Sequence, residues 1–350
     1  MPGARRERAW WVGHGHCGES AGQPPGTPGS AARLVVTASP EPDAGGLPPR
    51  PACPSCGEPA RAQDRFCQSC GAELAPLLVS DAVPRDHQEL DLGGLAGITD
   101  RGLRHQRNED AMALAVTATA AGPVMILVVC DGVSTADRPD EASLAAARAA
   151  SRELLAAAQA GTSLSEASVQ AVALAREAVA GLAGPAGESP AATFVSAVLA
   201  GDTVTLCWLG DSRAYWLDAG DTASARLLTR DDSLAEEMVA LELLPEDEAL
   251  TSPQAHVVTR WIGPDAAALM PHVTEFSPPG PGVLMLCSDG MWNYAPDAGR
   301  LAALAMPGAL DDPLAAAAAL VRFALDAGGT DNITVALAPY PPAEVRSRRT

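Results

Sequence analysis

Residues 124–134 read "VMILVVCDGVS": an apolar run that stops on an acid and a glycine, Asp131 and Gly132. The run reads as a strand entering the core, with a carboxylate at its tip. The pattern returns elsewhere. "GVLMLCSDG" (282–290) ends at Asp289, and "TLCWLGDS" (205–212) ends near Asp211. "GGTDNITVAL" (328–337) places Asp331 just before a strand, and "RHQRNEDAMALAV" (104–116) sets Glu109 and Asp110 at the start of one. A buried carboxylate is costly unless it is paired or binds a metal. The same arrangement at four or five strand ends therefore points to a convergent cluster, with Glu109 the weaker neighbour of Asp110.

These ligands are hard oxygens with no His or Cys beside them, which selects Mg²⁺ or Mn²⁺ over Zn²⁺. Gly132 has no side chain, so its backbone carbonyl can also approach a metal or its water. Several carboxylates can hold two ions roughly 3.5–4 Å apart, bridged by a water that becomes the nucleophile. The natural substrate for such a pair is a phosphate ester.

Composition narrows the field. The chain has 350 residues, 47% of them hydrophobic but only 4% aromatic, so a sizeable core is built from Ala, Val and Leu. The net charge of −19 argues against a nucleic-acid partner, because coating phosphates needs a basic surface. Every basic residue among the Lys and Arg is arginine. The absence of lysine excludes a Walker-type phosphate loop, a protein-kinase site and a Schiff-base enzyme. No apolar run reaches the ~18 residues of a membrane span. No apolar stretch follows the first arginines, so a cytoplasmic protein without a secretory signal is expected.

The organisation reads as five segments. Residues 1–50, rich in Gly, Pro, Ala and Ser, are expected to be a disordered tail. Residues 51–74 hold two C-x-x-C pairs, Cys53/Cys56 and Cys67/Cys70, each followed by glycine. That spacing predicts a zinc ribbon gripping one structural Zn²⁺, available to dock a partner protein. Residues 75–94 read as a linker, 95–340 as the globular domain and 341–350 as a short basic tail. Within the domain, strands come in runs and helices in pairs, which indicates α+β rather than regular βαβ alternation. Cys130, Cys207 and Cys287 sit inside apolar strands and read as small hydrophobes. His256 and His272 flank apolar strand positions and read as structural.

Eight motifs in order, "TDRGLRHQRNED", "CDGVS", "AATFVSAVL", "GDSRAYWL", "LTRDDSL", "VVTRWIG", "SDGMW" and "GTDNIT", span the predicted domain. Together they resemble the metal-dependent serine/threonine protein phosphatases of type 2C, in their bacterial form. The resemblance implies a sandwich of two antiparallel β-sheets flanked by helix pairs, in α-β-β-α order. It implies that Asp131 bridges two metals, that Gly132 offers its carbonyl, and that Asp289 and Asp331 complete one metal's shell. Glu109 and Asp110 would act mostly through waters, Asp211 would help hold a third, weaker metal, and Asn332 would orient its loop. The implied substrates are phosphorylated proteins, with a bacterial Ser/Thr kinase as the opposing enzyme.

Four positions depart from the family pattern. An arginine that grips phosphate is replaced by His105, flanked by Arg104 and Arg107, and phosphate binding is open among the three. Ser134 stands where a glycine is usual, Ala192-Thr193 replaces a threonine pair, and Asp232 stands where a His is common. The alternative to an active enzyme is a pseudophosphatase that binds phosphoprotein as a regulatory module.

Overall fold

The computed structural model describes residues 69–70, 78–79 and 86–341, except 185, 186, 250, 251, 253, 267–269 and 307. The expected tail at 1–50, the ribbon cysteines Cys53, Cys56 and Cys67, and all but the first residue of the C-terminal tail lie outside these. Cys70 is described and exposed. The chain divides at Gly46/Leu47, and all that follows concerns the second unit.

In chain order the strands are β1 (Leu78–Val79), β2 (His87–Asp91), β3 (Ala96–Asp100), β4 (Asp110–Thr119), β5 (Gly122–Asp131), β6 (Phe194–Ala200), β7 (Thr203–Leu209), β8 (Arg213–Asp218), β9 (Arg226–Leu227), β10 (His272–Phe276), β11 (Gly282–Cys287) and β12 (Ile333–Tyr340). The helices are α1 (Pro139–Ala160), α2 (Leu164–Ala180), α3 (Leu234–Ala240), α4 (Glu246–Ala249), α5 (Asp289–Trp292), α6 (Ala298–Ala305) and α7 (Pro313–Asp326). The strands form two six-stranded sheets, ordered β1-β4-β5-β6-β7-β10 and β2-β3-β12-β11-β8-β9. Every pairing is antiparallel.

The apolar runs lack polar alternation because both faces of each sheet are covered. On β4, Ala111, Ala113 and Ala115 face the helix layer at α1, while Met112, Leu114 and Val116 face the second sheet. On β5, Ile126 and Val128 face the helices and Leu127 and Val129 the other sheet. In the second sheet, Val283, Met285, Val335 and Leu337 face α6 and α7, whereas Leu284, Leu286, Ala336 and Ala338 look inward. Each fully buried Leu, Val or Ile contributes about 1.5–3 kcal/mol, so three apolar layers specify the sandwich and its register together. Alanines on β4 and along α1 let that helix lie close to the sheet.

Local signals end the elements. Pro139 starts α1, and Gly161, at φ 67°, ends it in the left-handed conformation that glycine adopts without strain. Ser163 caps α2 by accepting from the Glu166 amide.

The structure corrects the expected linker at 75–94. That stretch contains β1, which pairs with β4, and β2, which pairs with β3. β2 is an edge strand of sequence HQELD with alternating exposure, so it lacks the apolar run that marks central strands. The stretch "SLAEEMVALELLPEDEAL" folds as α3, with the single turn α4 in its acidic second half.

Candidate active site

Asp110 opens β4 and Asp131 closes β5, and the two are register partners. Asp289 is the first residue of α5, directly after β11. Asp331 precedes β12, and Asp211 follows β7. The antiparallel topology carries these tips to one edge of the sandwich.

The carboxylates bear on one another electrostatically. Burial raises the Asp131 carboxyl well above its ordinary value, reinforced by the charges of Asp110, Asp289, Asp211 and Asp331. Burial likewise pushes Asp110 up to about 7, with Asp331 and Asp289 adding to the rise. Asp289 goes to about 6, through burial and then the Asp331 charge. Asp211 is raised by burial and by Asp289.

Hydroxyls from the second sheet hold Asp110. Ser288 Oγ and Thr334 Oγ1 each donate to its Oδ2 at 2.7 Å. Thr99 Oγ1 lies 2.7 Å from Thr334 Oγ1, and Asn108 Nδ2 donates to Thr99 Oγ1 at 2.8 Å. The other oxygen, Oδ1, is buried with no hydrogen-bond partner. An orphaned anionic oxygen inside a cluster of like charges fits a divalent cation. Among the described residues, no group of three or more His, Cys, Asp or Glu side chains is arranged to hold one metal ion.

Backbone packing leaves little room for change. A Cβ on Gly132 would lie 2.5 Å from the Pro139 carbonyl oxygen and 2.7 Å from that of Glu109. The Gly132 amide donates to the same Glu109 carbonyl at 3.1 Å. Asn332 acts as expected on its loop: its Oδ1 accepts from the Glu109 amide at 2.7 Å, and its Nδ2 donates to the carbonyls of Arg101 and Arg107.

The remaining candidates sit around this centre. Both Glu109 carboxylate oxygens are engaged: Arg107 Nε donates at 3.3 Å and Ser134 Oγ at 2.8 Å. Ser134 thus fixes Glu109. Arg107 also meets Asp140 at 3.3 Å, and Arg104 is exposed on the turn. His105 Nε2 lies 3.1 Å from Asp331 Oδ1. Asp232 receives an imidazole from elsewhere: His272, on β10, reaches its Oδ1 at 2.9 Å while stacking on Trp208. His256 stacks on Trp292 with ring centroids 5.9 Å apart, in keeping with a structural role. The hydroxyls of Ser288, Thr334 and Thr99 went unmarked in sequence reading; a hydroxyl beside a strand-end acid is too common to single out. The three strand cysteines are buried, and burial pushes the Cys207 thiol up to about 12.

A sequence profile described as Protein phosphatase 2C matches residues 101–303, more than half the chain. The chain belongs to the protein phosphatase 2C family. It is 31% identical over 147 residues to the serine/threonine phosphatase stp of Listeria innocua, a match covering 41% of this chain and 55% of that protein. It is 28% identical over 252 residues to the serine/threonine protein phosphatase PstP of Mycobacterium tuberculosis, covering 69% of this chain and 44% of that one. The chain thus spans about half the length of these curated relatives. In three dimensions it is similar to the PPM Ser-Thr phosphatase MsPP of Mycobacterium smegmatis, with TM-score 0.54 and 28% identity over 71% of this chain and 99% of that one.

Proposed function

We propose that this protein phosphatase 2C member hydrolyses phosphoserine and phosphothreonine in proteins, using Mn²⁺ or Mg²⁺. The observation that carries the reading is the gathering of five buried or half-buried carboxylates, Asp110, Asp131, Asp211, Asp289 and Asp331, from separate segments. Asp131, Asp289, Asp331 and the Gly132 carbonyl would hold two cations. Asp110 and Glu109 would act through bound waters, and Asp211 would serve a third. Bound cations supply an activated water at neutral pH and neutralise charge on the phosphoryl group. The residues of the chain do the positioning. Ser288 and Thr334 orient Asp110, Ser134 and Arg107 orient Glu109, and Asn332 ties the two loops together.

The phosphoproteins would be substrates of a bacterial Ser/Thr kinase acting in the same, cytoplasmic, compartment. None of the described helices is long and apolar enough to cross a membrane. The cysteine spacing supports a structural Zn²⁺ on Cys53, Cys56, Cys67 and Cys70, in a ribbon that docks a partner protein.

The test is hydrolysis of a phosphothreonine peptide and of p-nitrophenyl phosphate with Mn²⁺ or Mg²⁺. Wild-type protein turns over both, and Asp289→Asn loses activity. Phosphopeptide binding without turnover under either metal would instead make the chain a pseudophosphatase.

A further inference from the structure

His105 occupies a position where the family pattern places a phosphate-gripping arginine, yet its donor faces an acid. The turn that carries it is pinned to the loop of Asp331. Leu103 N donates to the Gly329 carbonyl at 2.7 Å. Gly102, at φ 73°, packs against the Asp331 carbonyl so closely that a side chain there would collide with it. Arg101 Nη1 donates to the His105 carbonyl at 3.1 Å, which fixes the imidazole's starting point. From there Nε2 reaches Asp331 Oδ1 at 3.1 Å. The same oxygen accepts from the Asn332 amide at 2.8 Å. A backbone amide and an imidazole nitrogen thus both approach Oδ1. Two neighbouring arginines meet other acids, Arg107 meeting Glu109 and Asp140, and Arg101 meeting Asp86 at 3.6 Å, while Arg104 is exposed.

We propose that His105 is a positioning residue for Asp331: its Nε2 donates to Oδ1, fixes the rotation of the carboxylate and presents Oδ2 to a divalent cation. This rests on the reading that Asp331 holds a cation. It follows that His105 controls cation affinity rather than phosphate affinity. The physical reason is that a carboxylate on a loop has a free torsion about its Cβ–Cγ bond, and each orientation that misses the cation must be frozen out on binding. A donor already on Oδ1 removes those orientations beforehand. An imidazole donates from Nε2 without needing a net charge, so Asp331 keeps its own charge for the metal.

The experiment is a calorimetric titration of the full chain with Mn²⁺, followed by inhibition of the Mn²⁺-saturated enzyme by inorganic phosphate. H105A is expected to raise the Mn²⁺ Kd by ~10–100-fold, as loss of a ligand's supporting partner does. Its phosphate inhibition constant at saturating Mn²⁺ is expected to match wild type. H105Q, whose amide nitrogen reaches the same acceptor, is expected to retain most of the affinity. An unchanged Mn²⁺ Kd in H105A overturns the proposal. So does weaker phosphate inhibition at an unchanged Mn²⁺ Kd, which would make His105 a phosphate ligand. An H105Q protein as weak as H105A overturns the hydrogen-bond assignment. A wild-type chain that binds no Mn²⁺ fails at the earlier step, removing the cation reading and this inference with it.

Discussion

Ser288 and Asp110 are 178 positions apart, yet the Ser288 hydroxyl donates to Asp110 Oδ2 at 2.7 Å. Ser288 follows β11 of one sheet and Asp110 begins β4 of the other, so this bond joins the two sheets at the edge where the acids gather. Ser288 Oγ also accepts from the Thr334 amide at 3.0 Å, which makes it a three-way joint.

Removing that joint is expected to be costly. Ser288→Ala leaves a buried carboxylate short of a donor and a buried amide short of an acceptor, a loss of about 1–3 kcal/mol. Urea denaturation measures it. The loss is expected to shrink when Asp110 is already Asn, because the two changes share one contact. Strict additivity in that double-mutant cycle would mean that the bond contributes nothing.

The carboxylate cluster makes stability depend on pH with a definite sign. Asp110 and Asp289 have ordinary values near 3.8, raised in the folded protein to about 7 and about 6. The folded state therefore binds more protons than the unfolded state between those limits, so stability falls as pH rises from about 4 to about 7. In metal-free protein, thermal melts across that range should show a declining Tm. Mn²⁺ or Mg²⁺ should restore it most at the upper end, by favouring the ionised carboxylates. A metal-free Tm that climbs through this window would contradict the burial and mutual repulsion of these carboxyls.

Gly132 tests the packing of the site rather than its charge. Its missing side chain is flanked by two backbone carbonyls, at 2.5 and 2.7 Å from a built Cβ, and backbone cannot swing aside as a flexible side chain does. Gly132→Ala is expected to destabilise by about 1–3 kcal/mol through overpacking, and to move the Asp131 carboxyl with it. Chemical denaturation reads the first effect, and Mn²⁺ affinity the second.

The ribbon can be tested apart from the phosphatase fold. Metal analysis of the full chain is expected to find about one Zn²⁺, as four thiolates hold one tetrahedral ion. Replacing Cys53 and Cys56 by Ser should abolish it. Zinc retained in that double variant would reject the ligand assignment.

The central strands were legible because they are buried on both faces, and such burial demands unbroken apolar runs such as 124–130. The edge strands were not. HQELD in β2 and HVTEF in β10 face solvent along much of their length, so no apolar pattern announces them. The strand-end acids stood out for a related reason: an acid at the end of an apolar run is locally anomalous. Their supporting hydroxyls are ordinary residues in ordinary positions. Glu109 looked like a partner of Asp110, but Arg107 and Ser134 hold its carboxylate.

By itself the sequence determined which segments are the central strands, which acids close them and which family their motifs resemble, because burial and turn chemistry act within a few neighbouring residues. Tertiary structure alone decided that Thr334 and Ser288 serve Asp110, that His272 reaches Asp232, and that His105 faces Asp331. Those pairings depend on how two sheets align across separations such as the 224 residues between Asp110 and Thr334, and no local periodicity carries that information.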